Sequence, residues 1–242
     1  MNKKNKKKIS YNTGYMGSYS TKTNQRIFEE FINTILLKYC NDSNKIICSL
    51  GSYDDILVDQ IKFKELYLVD IKFGACHHKS NVNVHYFEDT VKNIMTHEDF
   101  QNRMDVVIMT TIIEHLDEKL LRYIFTHMKN ILTPNGIFIF TIPNGHSINR
   151  LVGVELGMLE YPTKLDKGDK LVGHKKMYCY RDTSYFLRWL RMKKIEDIGI
   201  MFKPLSNSQM DKYFGENLET FIQIGRDLGP KVCSYIGGVY QN

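Results

Sequence analysis

Residues 105–144 run DVVIMTTIIEHLDEKLLRYIFTHMKNILTPNGIFIFTIPN. They open on an uninterrupted apolar run, Val106 to Met109, after Asp105. Leu120, Leu121, Ile124, Phe125, Met128 and Ile131 then recur at helical spacing, which predicts a helix from Glu118 to Leu132 with Asp117 as its cap. Thr133-Pro134-Asn135-Gly136 reads as a turn, and Ile137 to Ile142 as a second apolar strand ending at Pro143. Strands that are apolar throughout, rather than at alternate positions, are buried on both faces. Two of them joined by a helix predict parallel neighbours in a sheet with helices on either side.

The same grammar extends in both directions. Upstream, Lys45 to Leu50 closes on Gly51, Glu65 to Leu68 runs on to Asp70, and Val82 to Phe87 forms a third strand. Before them, Ile27, Phe28, Phe31, Ile32, Ile35, Leu36 and Tyr39 predict an N-terminal helix that stops at the Asn41-Asp42-Ser43-Asn44 run. Downstream, helices are expected over Ser147 to Leu159, Thr183 to Met192 and Leu218 to Leu228, with strands over Ile195 to Phe202 and Cys233 to Tyr240. The expected fold is a doubly wound, Rossmann-like α/β sandwich. No repeat or Pro/Ser-rich linker divides the chain, so a single domain over 11–242 is expected. Its ligand-binding core would span 45–144 and its substrate-covering lid 145–215.

Composition narrows the class. With 242 residues, 43% apolar and 25% charged, the chain can bury a sizeable core and is neither collagenous nor low-complexity. The net charge of +6 is local, because Lys3, Lys4, Lys6, Lys7 and Lys8 account for five of it. Removing those five from 33 Lys+Arg leaves 28 against 27 acidic residues, a net of +1. A near-neutral body argues against nucleic acid as partner, and residues 1–10 read as a solvated, disordered basic tail. The tail leads into no apolar segment of signal-peptide type, and no window has the ~18 consecutive apolar residues of a membrane span. The five cysteines form no C-x-x-C pair, so neither a zinc site nor a disulfide framework is expected, and a reducing cytoplasm is the default location.

In an open parallel sheet, ligands bind beyond the carboxyl ends of the strands. That rule selects Gly51, Asp70, the Phe87-Glu88-Asp89 stretch, Thr110 to His115, and Pro143 to His146. Glycine lets the chain turn sharply and lets a ligand approach. An aspartate ending the next strand, 19 residues on, suits the paired hydroxyls of a ribose. Each feature alone is commonplace; their order on successive strands points to a nucleoside pocket. The absence of G-x-G-x-x-G argues against a nicotinamide enzyme.

The strand ending in Thr110-Thr111-Ile112-Ile113-Glu114-His115, the Leu132-Thr133-Pro134-Asn135-Gly136 turn and the strand ending in Pro143-Asn144 together resemble class I S-adenosylmethionine-dependent methyltransferases, with core motifs similar to ubiquinone methyltransferases. The resemblance covers about 45–144 and implies a seven-stranded sheet, mostly parallel, with an antiparallel C-terminal strand at Cys233 to Tyr240. It implies S-adenosylmethionine as cofactor and S-adenosylhomocysteine as product. It also implies that Gly51 backs the methionine portion with Ser49 and Tyr53 in its loop, and that Asp70 holds the ribose. By the same resemblance Ile71 packs on the adenine, Glu88 or Asp89 meets its amino group, and Thr110 and Thr111 line the floor below the sulfonium. The first motif departs from the family. The family's usual acid and two further glycines are replaced by Ser49, Tyr53 and Asp55, so Asp54 or Asp55 is left to face the cofactor's ammonium.

The acceptor side is read more loosely. Tyr15 and Tyr19, with Tyr11, form either an aromatic lid over the cofactor or ordinary packing. His174, His146 and Tyr178 are general-base candidates, and His115 either acts directly or orients its loop. Arg26, Arg150, Asn144 and Lys175 are substrate-binding candidates, suiting an anionic small molecule. The remaining histidines, His77, His78, His85 and His97, read as surface residues, and no metal ligand set is assigned. Gly173-His174-Lys175-Lys176 and Phe202 to Met210 are similar to bacterial methyltransferases of surface-polysaccharide and capsule modification. That likeness implies a nucleotide-activated sugar or phosphoramidate-type acceptor. A non-catalytic cofactor scaffold and a nucleic-acid methyltransferase stand as the alternatives.

Overall fold

A computed structural model describes residues 21–74 and 76–242. The lysine-rich tail and Tyr11, Tyr15 and Tyr19 lie outside the described residues. Seven strands form one sheet: β1 (Ile46–Leu50), β2 (Glu65–Asp70), β3 (Val84–Glu88), β4 (Met104–Thr110), β5 (Leu132–Pro143), β6 (Lys193–Phe202) and β7 (Cys233–Gln241). They lie in the order β3-β2-β1-β4-β5-β7-β6. The first five run parallel to one another, while β7 runs antiparallel to both β5 and β6. The chain reverses side after β3, which places the topological switch point between β1 and β4.

Burial on both faces explains the unbroken apolar strands. In β4, Val107 and Met109 enter the core beneath the Glu118–Ile131 and Tyr180–Leu190 helices. Val106 and Ile108 enter the opposite core beneath the N-terminal and Leu218–Leu228 helices. Each fully buried side chain of this kind contributes about 1.5–3 kcal/mol of transfer free energy. The first core is aromatic, with Phe125 5.2 Å from Phe186 and Phe140 stacked on Tyr240 at 5.6 Å between centroids.

Asp117 caps its helix as the pattern predicts, its Oδ1 accepting from the Leu120 amide at 2.8 Å. The Thr133–Gly136 turn is built into the ladder rather than preceding it. Pairing jumps from Met104↔Leu132 to Val106↔Ile137, with Asn135 at φ 68°, so β5 begins before the turn and resumes after it. The N-terminal helix covers Lys22–Phe31, widens over Ile32–Leu36 and ends at Leu37–Tyr39. Asp211, on the Asn207–Phe214 helix, accepts from the Lys22 and Thr23 amides and the Thr23 hydroxyl, which docks this helix over the strand ends. The expected lid span, 145–215, contains the Lys167–Leu171 helix, and it also contains the edge strand β6. Among the described residues, no helix is long and apolar enough to cross a membrane.

Candidate active site

A cleft of about 670 Å³ opens along the carboxyl ends of β1, β2 and β4, within the size range of small-molecule sites. Gly51 turns the chain at φ 79° and donates its amide to Val69 O at 2.8 Å. A Cβ there would come within 2.6 Å of Ile112 Cδ1, so glycine keeps this end of the cleft open. Ser49 and Ser52 share a hydroxyl hydrogen bond beside it, and both line the cleft with Tyr53. Asp70, at the end of β2, accepts from the Lys72 amide at 3.1 Å. Burial raises its carboxyl above the ordinary value. Ile71 lies beside it, 73% exposed and on the cleft wall.

Asp89 lines the cleft while its Oδ1 accepts from the Thr90 amide and Asn93 Nδ2. Glu88 is exposed and does not line it. Of the two loop acids, Asp54 is on the cleft wall, its carboxyl raised by burial. Asp55 is buried and structural: its Oδ2 accepts from the His77 and His78 amides at 2.6 and 2.7 Å and from Tyr86 Oη at 2.8 Å. A turn that a Cβ would obstruct, a half-buried carboxylate at the next strand end and an apolar side chain beside it together fit an adenosyl cofactor.

A second cavity, of about 190 Å³, adjoins the first. Phe28, Phe31, Thr110, Thr111 and Val172 border both. Thr111 sits at φ 50°, unusual for a β-branched residue, with its amide tied to Thr141 O at 3.0 Å. Such strain at a ligand site marks a backbone held in place by its surroundings. The walls are mainly apolar, from Ile27, Phe28, Phe31, Pro143 and Ile200, and Glu114 and His174 form a polar end.

Glu114 is only 1% exposed, and burial pushes its carboxyl up to about 7. Burial also lowers the pKa of His115, as does the neighbouring His174. The two rings meet edge-on, 4.9 Å between centroids. Asp169 Oδ1 lies 3.2 Å from His174 Nδ1, and Arg150 Nη1 donates to Asp169 Oδ2 at 3.1 Å. Although burial opposes it, the hydrogen bond with His174 helps hold the Asp169 carboxyl below its ordinary value.

Several expected site residues have other work. Arg26 is ion-paired with Glu219 and Glu30, tying its helix to the Leu218–Leu228 helix, and it lines neither cavity. Arg150 is buried, donating to the Pro162 and Lys164 carbonyls as well as to Asp169. Asn144 is buried and bonds the Lys231 and Cys233 carbonyls. Tyr178 is 2% exposed and packs on Phe186; burial raises its hydroxyl pKa, the wrong direction for a base. His146 and Lys175 are exposed and line neither cavity, although the Lys175 amide donates to Glu114 O at 2.7 Å. His78 and His85 each lie 3.3 Å from a carboxylate, Asp59 and Glu65 respectively.

Three contributors were not read from the sequence. Phe28 and Phe31 lie on the apolar face of the N-terminal helix, where the periodicity reads as core. Asp169 lies in a mixed Gly, Lys and Asp segment, where its capping box with Asp166 is the one local signal.

The sequence belongs to the methyltransferase-domain family, which it matches over residues 20–205. It is an S-adenosylmethionine-dependent methyltransferase of the class I, Rossmann-like fold, and S-adenosylmethionine is its cofactor. No curated protein matches the sequence significantly. Among solved structures, it is similar to 1,6-didemethyltoxoflavin N1-methyltransferase of Burkholderia thailandensis, with bound 1,6-didemethyltoxoflavin and S-adenosylhomocysteine (8% identity, TM-score 0.56, 91% of this chain and 80% of that one). It is also similar to geranyl diphosphate C-methyltransferase of Streptomyces coelicolor A3(2) (9%, 0.57, 90% and 81%). A third is an S-adenosylmethionine-dependent methyltransferase of Archaeoglobus fulgidus (13%, 0.52, 90% and 94%). At these identities the likeness is one of fold.

Proposed function

We propose that the enzyme methylates a small molecule with a largely apolar body and one polar, nucleophile-bearing group. The observation that carries this reading is the junction of the two cavities at Thr110 and Thr111. The larger cleft offers Gly51, Ser49, Tyr53, Asp54, Asp70, Ile71 and Asp89 to the cofactor. The smaller one takes the acceptor, its apolar body against Phe28, Phe31 and Ile200 and its polar group toward Glu114 and His174. Methyl transfer from a sulfonium is an in-line displacement, so holding the two partners end to end supplies much of the acceleration. Bound ligands in the similar Burkholderia and Streptomyces structures, 1,6-didemethyltoxoflavin and geranyl diphosphate, are likewise small molecules.

An anionic sugar nucleotide or phosphoramidate of capsule assembly finds less support. Among the described residues lining the smaller cavity there is no lysine or arginine. Arg26 and Arg150 are committed to Glu219, Glu30 and Asp169. Incubation with methyl-labelled S-adenosylmethionine and a panel of neutral alcohols, phenols and amines, alongside sugar nucleotides, tests the reading. Label transfer to neutral compounds with apolar bodies is expected. Transfer confined to phosphate-bearing compounds would contradict it.

A further inference from the structure

Glu114, His115 and His174 each bring one donor atom to within 4.8 Å of the others. Glu114 Oε1 lies 3.9 Å from His174 Nε2, beyond hydrogen-bonding distance. Oε2 of the same carboxylate is buried and has no hydrogen-bond partner among the described residues. A buried carboxylate oxygen without a donor is costly, and a cation in this gap would meet that cost. His174 is steadied from elsewhere, its Nδ1 resting on Asp169 Oδ1 at 3.2 Å. A carboxylate or carbonyl behind a histidine is the support that fixes the tautomer and aim of metal-bound imidazoles.

We propose that Glu114, His115 and His174 bind one divalent transition-metal ion where the two cavities meet, and that this ion takes a hydroxyl oxygen of the acceptor. Two imidazoles and one carboxylate favour manganese, iron, cobalt or zinc over magnesium or calcium. Three protein ligands leave coordination positions open, the pattern of a catalytic site rather than a structural one. Adjacent ligands of a tetrahedral ion stand about 3.4 Å apart, so the three groups draw in by about 1 Å on binding.

The second half of the proposal rests on the acceptor reading above. One carboxylate and two neutral imidazoles leave a divalent ion with net charge +1, which an alkoxide or phenolate neutralises. The acceptor hydroxyl releases its proton to solvent on meeting the ion. Its oxygen then forms the O–CH3 bond as the methyl–sulfur bond breaks, and the electron pair of that bond stays on the sulfur of S-adenosylhomocysteine. His174 serves here as a ligand, and the acceptor class is a hydroxyl-bearing small molecule methylated on oxygen.

The test is titration of the chelator-treated full chain with Co2+, read by visible absorption and by bound cobalt per chain, with S-adenosylhomocysteine affinity measured separately. One tightly bound Co2+ is expected. His174→Ala and Glu114→Gln should weaken it by about 100-fold or more, and Asp169→Asn, which removes the carboxylate behind His174 together with the Arg150 ion pair, by about 10- to 100-fold. All three should keep S-adenosylhomocysteine binding. Wild-type protein that binds S-adenosylhomocysteine but no Co2+ overturns the metal site and leaves the methyltransferase reading standing. Co2+ binding unchanged in Glu114→Gln and His174→Ala places the ion on other histidines and overturns it equally. Co2+ bound as expected, with label passing only to amines, retains the site and overturns the hydroxyl acceptor. If a variant is unfolded by circular dichroism, the wild-type titration and the variants that stay folded decide.

Discussion

Asp169 aims His174. The carboxylate Oδ1 is 3.2 Å from ring Nδ1, which turns Nε2 toward Glu114 at 3.9 Å, and Arg150 secures the far carboxylate oxygen at 3.1 Å. A residue first read as an anion-binding candidate therefore anchors the segment that carries His174.

Arg150→Ala leaves the Asp169 carboxylate buried without its cation and frees the Pro162 and Lys164 carbonyls. Both side chains of the pair are largely buried, so solvent screening is weak. The expected loss is about 3 kcal/mol in denaturant unfolding, together with faster amide exchange over residues 160–176. An unchanged midpoint and unchanged exchange would show that the pair does not hold this segment.

Gly51→Ala forces a side chain into φ 79° and against Ile112 Cδ1. The left-handed backbone costs about 1–2 kcal/mol. The displaced Ile112 narrows the cleft, so S-adenosylhomocysteine affinity measured by calorimetry should fall as well as stability. Wild-type affinity in this variant would show that the cofactor does not approach this turn.

The neighbouring acids Asp54 and Asp55 should separate cleanly. Asp55→Asn weakens three hydrogen bonds to a buried acceptor and should cost roughly 2–3 kcal/mol of stability. Asp54→Asn should leave stability near wild type and weaken S-adenosylhomocysteine, while 5′-methylthioadenosine, which lacks the ammonium, binds as before. Equal loss for both ligands would remove Asp54 from the methionine end.

Through Asp70, cofactor affinity is expected to depend on pH. Its carboxylate accepts hydroxyl hydrogen bonds in the ionised form, and burial raises its pKa. Affinity for S-adenosylhomocysteine should therefore be complete at neutral pH and decline as pH falls through that raised value, above the ~3.9 of a free aspartate. Asp70→Asn should flatten the profile. A wild-type profile retained in Asp70→Asn would assign the titration to another group.

The fold was legible because burial on both faces of β1, β2, β4 and β5 writes itself as unbroken apolar runs, and because Asp117 and Gly51 mark where elements begin and end. Positions fixed by strand ends followed from the same pattern, and Gly51, Asp70, Thr110 and Thr111 line the cavities at those ends. Long polar side chains were harder to place. Arg150 and Asn144 are satisfied by partners 12 or more residues away, such as Pro162 and Cys233, and Arg26 by distant Glu219 as well as by Glu30 one turn on; no local pattern announces the distant pairings. The junction of Glu114 and His115 with His174, some 60 residues on, depends on how the 160–176 segment folds back. The Asn207–Phe214 helix, capped by Ser206 and Gln209, was not read from the sequence because its apolar periodicity is weak.

The central claim is that the cleft between Gly51 and Asp89 binds an adenosyl cofactor through Asp70. Calorimetric titration of wild type and Asp70→Ala with S-adenosylhomocysteine tests it most directly. The account predicts one site per wild-type chain and an affinity at least about tenfold weaker in the variant, the equivalent of one lost charged hydrogen bond. Equal affinity in the two proteins, or no binding to the wild type, would contradict it.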